Sequence, residues 1–304
     1  MDEQYPPSPA HDTMELNRTL IETPPRDAAT VVMLRDAPTG LEVFLLKRHG
    51  LSDVLGGAYV FPGGKIDPQD AALIPQLDQP LAALHGALGE PDTAAELAAS
   101  CYVAALREAF EESGVLYAHG ASADQVAQAT ALLREGHGFA EVLTRLGLKL
   151  DTRSLLPWSR WITARMASVS SKRFDTRFFV AAVPSGQTAR HDDHETTESV
   201  WLGPRAALTQ YWDGHIALAP PQIMSLAHLS RHETVRSVLS EASGRSPALV
   251  LTEPYDDEHG TRVLCYPGDP HHTLRERVLP GPTRLYHRNR RFEPEGNFDA
   301  LFED

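Results

Sequence analysis

Three glutamates and one arginine crowd into the stretch "REAFEESGV", which runs from Arg107 to Val115. On a helix that turns about 100° per residue, Glu108, Glu111 and Glu112 share a sector about 100° wide, so their carboxylates converge. Like charges three or four positions apart destabilise a helix by about 0.2–0.5 kcal/mol per pair. A divalent cation such as Mg²⁺ or Mn²⁺ would remove this repulsion, because these ions prefer carboxylate oxygens and share them with substrate phosphates.

A second stretch, "FPGGKID" (61–67), lies far upstream and ends an apolar run in two glycines. Glycine lets the backbone approach a ligand closely, so a carbonyl in this stretch can join the metal ligands. The alternative for the acidic stretch is a helix face exposed to water. Small apolar residues interleave with the acids, and this pattern favours a helix with packed neighbours instead.

Strand and helix patterns alternate around these two stretches. Strands are predicted at 29–34, 41–48, 58–61, 160–164, 177–183 and 199–202. An amphipathic helix from about Asp92 to Ser113 carries the acids and stops at Gly114, and a further helical region covers about 121–147. Residues 1–26 resemble a flexible tail, and residues 246–304, rich in proline and glycine, predict a small β-rich appendage or an extended arm.

Composition limits the class of protein. The chain has 304 residues and a formal net charge of −13, which argues against nucleic acid as a partner because phosphate backbones require a basic surface. No apolar run reaches the roughly 18 residues of a membrane span, and the N-terminus has no signal-peptide pattern. The two cysteines, Cys101 and Cys265, predict a reducing compartment. We therefore expect a cytoplasmic protein without a membrane partner.

The two stretches together resemble the Nudix box of the MutT/Nudix hydrolases, G-x5-E-x7-R-E-U-x-E-E-x-G-U, in which U is an apolar residue. The matching residues are Gly64, Arg107, Glu108, Ala109, Glu111, Glu112, Gly114 and Val115.

Two departures from this pattern stand out. The interval from Gly64 to Arg107 exceeds the usual spacing by about 29 residues, which predicts an insertion inside the box. Counted back from Arg107, the first glutamate of the box falls on Ala99. Asp92 and Glu96 are the candidates to replace it.

The insertion and the order of several short blocks resemble one branch of the superfamily, the peroxisomal coenzyme A diphosphatases, over roughly residues 28–235. The blocks are "VFPGGKID", "ALREAFEESGVL", "RFDTRFFVAAVP", "VWLGP" and "LAPPQ". The chain ends in "LFED" rather than an S-K-L signal, so the peroxisomal address is not carried over.

The resemblance implies an α/β fold of the α+β type, the Nudix α/β/α sandwich with a mixed twisted sheet. We expect the domain at 27–245, with helical insertions at about 67–95 and 119–155 and a C-terminal extension at 246–304. It also implies water attack on a phosphorus of a pyrophosphate, with Mg²⁺ or Mn²⁺ as cofactor.

The resemblance further assigns roles to the acidic stretch. Glu111 and Glu112 are the principal metal ligands, and Glu108 is a ligand or the base that activates water. The Gly63 carbonyl completes the ligand set, and Arg107 holds the carboxylates in place.

A further glutamate is expected from the loop "HDDHETTESVW", and the branch favours Glu195 over Glu198. A solvated acidic loop and a zinc site at His191, Asp193 and His194 are the alternatives, and the zinc site lacks a second pair of ligands nearby. The candidate substrate-binding residues are Arg48, Gly64, Arg173 and Arg177, because arginine suits bidentate phosphate binding. A surface arginine at a strand end is the alternative for Arg48.

The function we expect is hydrolysis of the pyrophosphate bond of a nucleoside diphosphate derivative, with coenzyme A or acyl-coenzyme A as first candidates. Another nucleotide, such as ADP-ribose, NADH or a nucleoside triphosphate, is the rival substrate. A Nudix protein that senses a nucleotide without cleaving it is the rival of a different class, and retention of all three glutamates favours an enzyme. The C-terminal region leaves room for a homodimer contact.

Overall fold

The computed structural model describes residues 16–50, 55–166, 169, 171–192 and 196–303. The strands are β1 (Arg26–Ala37), β2 (Gly40–Arg48), β3 (Tyr59–Val60), β4 (Gly63–Lys65), β5 (Leu156–Ile162), β6 (Phe174–Ala182), β7 (Thr196–Leu202), β8 (Ala248–Leu251), β9 (Glu253–Asp256), β10 (Arg262–Cys265), β11 (Arg284–Arg288) and β12 (Arg291–Glu293). The α-helices are α1 (Leu81–Leu88), α2 (Ala95–Ser113), α3 (Ala123–Arg134), α4 (Phe139–Leu146), α5 (Pro204–Trp212), α6 (Pro220–Leu229) and α7 (Val235–Gly244). Short 3₁₀ helices cover Pro68–Gln76, Thr152–Ser154 and Phe298–Leu301.

Eight strands form one mixed sheet in the order β3-β2-β1-β6-β5-β8, with β4 also paired to β1 and β7 to β2. The β1–β6 and β5–β8 pairs are parallel, whereas β1–β2 and β5–β6 are antiparallel. The mixed sheet predicted from the sequence is confirmed.

Each face of this sheet carries its own hydrophobic core. Along β1, Val31 and Met33 belong to the core shared with α1–α4, while Val32 and Leu34 belong to the core shared with α5–α7. Successive side chains of a strand point to opposite faces, so a strand buried on both sides reads as a continuous apolar run. The predicted α/β/α sandwich is confirmed.

Helix α2 lies at the centre of the first layer and delivers the acidic stretch. Small residues along it, among them Ala98, Ala104 and Ala105, are fully buried and let the helix lie close to the sheet. Tyr102 and Phe110 are also buried, each contributing roughly 1.5–3 kcal/mol of apolar burial. The helix ends where the sequence predicted, at Gly114 with φ 71°, whose N–H donates to the Phe110 carbonyl at 2.8 Å.

Both predicted insertions are helical and contribute to the α2 layer. The first contains the Pro68–Gln76 3₁₀ helix and α1, and the second contains α3 and α4. Their apolar side chains join the core cluster of α2. The inserted residues therefore enlarge the first hydrophobic core.

The predicted N-terminal tail is wrong in its extent. Arg26 already begins β1, Arg18 pairs with Asp256 at 2.7 Å, and the Ile21 N–H donates to the Arg165 carbonyl at 2.8 Å. Residues 16–25 thus lie against the folded part of the chain, and residues 1–15 are outside the described part.

The C-terminal region is β-rich, as predicted, but it is integrated with the domain. Strand β8 pairs with β5 and extends the main sheet, while β9–β12 form a second, antiparallel sheet in the order β12-β11-β10-β9. The Tyr211 hydroxyl on α5 donates to the Phe292 carbonyl at 2.9 Å and accepts from the Phe292 N–H at 2.7 Å. A boundary at residue 245 would therefore remove a strand from the main sheet.

Candidate active site

Arg107 is the centre of the acidic cluster at the end of α2. Its Nε and Nη2 donate to the two carboxylate oxygens of Asp70 at 2.8 and 3.2 Å. Its Nη1 donates to Glu108 Oε1 at 2.7 Å and to Glu111 Oε2 at 3.0 Å. Nη2 also donates to the Lys65 carbonyl at 3.1 Å, so one guanidinium contacts three carboxylates and the end of β4.

The neighbouring carboxylates keep the Arg107 guanidinium protonated. Burial alone would lower the pKa of the guanidinium, but the hydrogen bond to Asp70 and the charges of Glu108 and Glu111 raise the pKa above its ordinary value. Arg107 therefore stays cationic at any pH at which the protein is folded.

Glu112 connects α2 to the double glycine. The residue is only 4% exposed, and its Oε2 accepts a hydrogen bond from the Gly63 N–H at 2.9 Å. Gly63 lies so close to β1 that a Cβ would be 2.5 Å from the Ala29 carbonyl oxygen, which explains why glycine is needed. The two predicted metal-site residues are thus brought into direct contact.

Gly64 makes room for Glu108. A Cβ at Gly64 would lie 2.3 Å from Glu108 Oε1, inside any normal contact distance. The second glycine of "PGG" therefore lets the Glu108 carboxylate rest against the backbone of β4. This gives Gly64 a role in shaping the carboxylate cluster.

Asp70 is a member of the acidic cluster that the sequence argument missed. The expectation that Asp92 or Glu96 replaces the first carboxylate of the box is wrong, because both are exposed and Ala99 is buried in the core. Asp70 is 2% exposed and also accepts from the Asp67 N–H at 2.7 Å. The box pattern places its first carboxylate six positions after the opening glycine, and counting forward from Gly64 reaches Asp70. Counting backward from Arg107 misses it, because the insertion lies between Asp70 and Arg107.

Arg107, Glu108 and Glu111 of the acidic cluster line a cleft of about 800 Å³. The cleft continues along an apolar wall built from Trp161 and Phe178 of the main sheet and from Pro254 and Leu264 of the C-terminal region. Arg48 also lines the cleft, and its buried Nε has no hydrogen-bond partner within the described residues. The space therefore combines an acidic end, an arginine donor and a long apolar surface.

The residues of the acidic cluster fit a hard divalent cation in donor type. The carboxylates of Asp70, Glu108 and Glu111 contact the Arg107 guanidinium, and the Glu112 carboxylate accepts from the Gly63 N–H. Glu108 and Glu111 line the cleft, and their oxygens are the donors that Mg²⁺ and Mn²⁺ prefer. A bound cation would offset the excess of negative charge.

Two predicted substrate-binding arginines do not reach the cleft. The residues of β6 that line it are Phe174, Thr176 and Phe178. Because side chains alternate along a strand, Arg177 points to the other face, where it is 2% exposed and bonded to Glu90 at 2.7 Å. Arg173, at the start of β6, donates to the carbonyls of Thr163 and Thr23. The burial of Arg177 in ion pairs on the other face corrects its substrate-binding assignment, whereas for Arg173, between the lining residues Lys172 and Phe174, the assignment stays a prediction.

The predicted loop glutamate, Glu195, lies outside the described residues, as do Asp193 and His194 of the alternative zinc site. Glu198 is on β7 opposite Lys47, and it is not among the residues that line the cleft. Burial and then a hydrogen bond to Glu198 raise the pKa of the Tyr59 hydroxyl, which keeps this phenol protonated.

Comparison with known proteins gives a family. A model of the family described as the NUDT19 Nudix domain matches residues 76–229, about half of the chain. The acyl-coenzyme A diphosphatase NUDT19 of Xenopus laevis is 28% identical over 62% of this chain and 59% of the frog protein, so the chain spans somewhat less than two thirds of that relative. The protein of the same name from Gallus gallus is 26% identical over 73% of this chain and 72% of its own length.

The fold has a counterpart among solved structures. A crystal structure of a Nudix hydrolase from Alicyclobacillus acidocaldarius superimposes with a TM-score of 0.57 at 27% identity, over 72% of this chain and 97% of that one. Across the described residues, no helix has the length and apolar character needed to cross a membrane. The matching family, the relatives and the shared fold agree with the box geometry, and the chain belongs to the Nudix hydrolases, in the family of the NUDT19 Nudix domain.

Proposed function

We propose that this protein hydrolyses the pyrophosphate bond of coenzyme A or an acyl-coenzyme A, with Mg²⁺ or Mn²⁺ as the metal. The observation that carries the proposal is one cleft lined both by the acidic residues Glu108 and Glu111 and by the apolar side chains of Trp161, Phe178 and Leu264. The names of the frog and chicken relatives support the same substrate class.

The shape of the cleft suits such a substrate. Coenzyme A joins a charged pyrophosphate to a long, weakly polar arm, and an acyl group lengthens the apolar part. Ligand pockets commonly measure about 300–1,000 Å³, and the cleft of about 800 Å³ lies in the upper part of that range. A small, wholly polar nucleotide would leave the apolar wall exposed to water.

The reaction adds the oxygen of water to one phosphorus and breaks the bond from that phosphorus to the bridging oxygen, which leaves with the second phosphate. A bound divalent cation supplies neutralisation of the pyrophosphate charge and a lower pKa for water. Glu111 and Glu112 would hold the cation, and Glu108 would either hold it as well or take the proton from water. Arg107, fixed by Asp70, orients Glu108 and Glu111.

Arg48 is the candidate phosphate contact. Its guanidinium lines the cleft with an unpartnered buried Nε among the described residues, so a phosphate oxygen would satisfy a donor that the protein leaves open. Glu195 remains our candidate for a further metal ligand.

The experiment is a substrate panel with Mg²⁺ and with Mn²⁺, covering coenzyme A, acyl-coenzyme A, ADP-ribose, NADH and nucleoside triphosphates. We expect coenzyme A and its thioesters to yield 3′,5′-ADP and the corresponding 4′-phosphopantetheine at the highest kcat/KM. Turnover of another nucleotide without release of 3′,5′-ADP from coenzyme A would overturn the substrate assignment. Absence of turnover for every member of the panel would favour a nucleotide-sensing protein.

We infer a cytoplasmic enzyme, because Cys101 and Cys265 are both unpaired and buried within the domain. Cell fractionation tests the compartment. A homodimer through the C-terminal region remains a prediction, which sedimentation of the full chain tests.

A further inference from the structure

A buried amide in the wall of the cleft lacks a partner. Gln222 lies at the third position of α6, is 7% exposed, and lines the cleft. Its Oε1 has no hydrogen-bond partner within the part of the chain that the structure describes. Leaving a buried polar group unpaired costs roughly 1–3 kcal/mol, so such an atom calls for an explanation.

The local sequence explains why the protein itself does not satisfy this amide. Pro220 and Pro221, at the first two positions of α6, carry no N–H group, and the capping residue Ala219 has no polar side chain. Phe61 and Leu264 are among the apolar side chains that line the same cleft. The first turn of α6 therefore presents an acceptor oxygen for which its own neighbours in the chain supply no donor.

We propose that Gln222 is a specificity-determining residue whose amide oxygen accepts a hydrogen bond from an N–H group of the substrate. The inference rests on the proposed function and deepens it, because coenzyme A carries such donors in the amides of its pantetheine arm and in the exocyclic amine of adenine. The pantetheine amides and the adenine amine share one property: each is a neutral N–H donor that can lie against the apolar wall of the cleft.

The cleft thus holds two unpartnered polar atoms of opposite kind among the described residues. The buried Nε of Arg48 is a charged donor that suits a phosphate oxygen, whereas Oε1 of Gln222 is a neutral acceptor that suits an N–H group. A substrate that satisfies both must carry a phosphate and a neutral nitrogen donor. A site built to hydrogen-bond such a group rejects analogues that lack it, because the buried oxygen would stay unpaired.

The first test is the near-isosteric variant Gln222→Met, compared with wild type in steady-state kinetics and thermal unfolding. We expect kcat/KM for coenzyme A to fall about tenfold, mainly through KM, because one hydrogen bond to substrate is lost. Tm should stay the same or rise, since the change removes an unpaired amide from the free protein. A residue with a purely structural role would show the reverse pattern, with a lower Tm and unchanged kinetics of the folded enzyme.

The matched control is Tyr117→Phe. The Tyr117 hydroxyl is also buried without a partner in the described residues, but it lies in the core of the α2 layer and does not line the cleft. Its removal should leave kcat and KM unchanged.

Two substrate analogues decide which donor Gln222 recognises and test the proposal on wild-type enzyme as well. One has unsubstituted purine in place of adenine and lacks the exocyclic amine; the other has an ester in place of a pantetheine amide. We expect wild type to lose about tenfold in kcat/KM on one of them, and Gln222→Met to show no further loss on that analogue. Equal turnover of both analogues and coenzyme A by wild type would overturn the proposal, as would unchanged kcat/KM in Gln222→Met.

These outcomes are separate from failure of the proposed function. If coenzyme A is not cleaved and another member of the panel is, the substrate assignment fails, and the same Gln222→Met comparison on that nucleotide decides the role of Gln222. A variant that fails to fold leaves the decision to the wild-type analogues.

Discussion

Two arginine-centred clusters in this molecule use the same residue types for different ends. In the first, Arg107 contacts Asp70, Glu108 and Glu111 at the acidic end of the cleft. In the second, which we call the Arg177 cluster, Arg177 and Arg160 share Glu90 and Asp175, and Arg177 also pairs with Asp27.

Charge balance and access distinguish the two. In the first cluster one guanidinium meets three carboxylates, with Glu112 next to Glu111 in the helix, and the Glu111 side chain is 36% exposed. In the Arg177 cluster two guanidiniums meet three carboxylates; the Arg177 and Glu90 side chains are 3% and 6% exposed, and Asp27 at the edge is 38% exposed. A surplus of carboxylates beside a cleft suits a metal and a substrate, whereas a nearly balanced cluster around a buried ion pair suits the fold.

The largest expected effect is on catalysis at the first cluster. Replacing both Glu111 and Glu112 by Gln should lower kcat/KM by at least about 10³-fold, since charge stabilisation by a metal is worth several kcal/mol. The fold should persist, because a glutamine side chain at position 112 still offers an amide oxygen to the Gly63 N–H. Steady-state kinetics and circular dichroism provide the measurement.

The matched control for that variant is Glu90→Gln in the Arg177 cluster. It removes a carboxylate of the same type, and the folded enzyme should keep its kcat. Equal losses of kcat in the two variants would contradict the distinction between the clusters.

The next effect is on stability at the Arg177 cluster. Arg177→Met leaves Glu90 and Asp175 with one guanidinium fewer, and breaking a buried pair in this way costs about 3–5 kcal/mol. We expect the free energy of unfolding in urea to fall by this amount, while kcat per folded molecule stays at the wild-type value. Loss of kcat without loss of stability would show that Arg177 serves the reaction after all.

The smallest effect concerns the positioning of Arg107. Asp70→Asn keeps the side-chain shape but weakens the contact that fixes the guanidinium, so kcat should fall about 10–100-fold and the metal concentration for half-maximal rate should rise. Asp92→Asn is the control, because Asp92 is exposed and has no contact with Arg107 among the described residues. A similar loss in both variants would remove Asp70 from the positioning role.

The sequence predicted local features well and relations between elements less well. The spacing of the apolar and acidic residues predicted helix α2, and the spacing within the box predicted the insertion. The conformational freedom of glycine predicted the end of α2 at Gly114. Arg177 was misassigned because the sequence alone does not show which face of β6 lines the cleft. That face is set by elements far away in the sequence, which form the other walls. Likewise, Leu264 and Gln222 reach the cleft only through the packing of the C-terminal region and α6, which no short motif encodes.

The central claim, that the first cluster holds a divalent cation and the Arg177 cluster does not, is tested most directly by Mn²⁺ binding followed by electron paramagnetic resonance. We expect wild type and Arg177→Met to bind Mn²⁺ alike, with binding greatly weakened when Glu111 and Glu112 are both replaced by Gln. Wild-type Mn²⁺ affinity in the double-Gln variant would contradict the account.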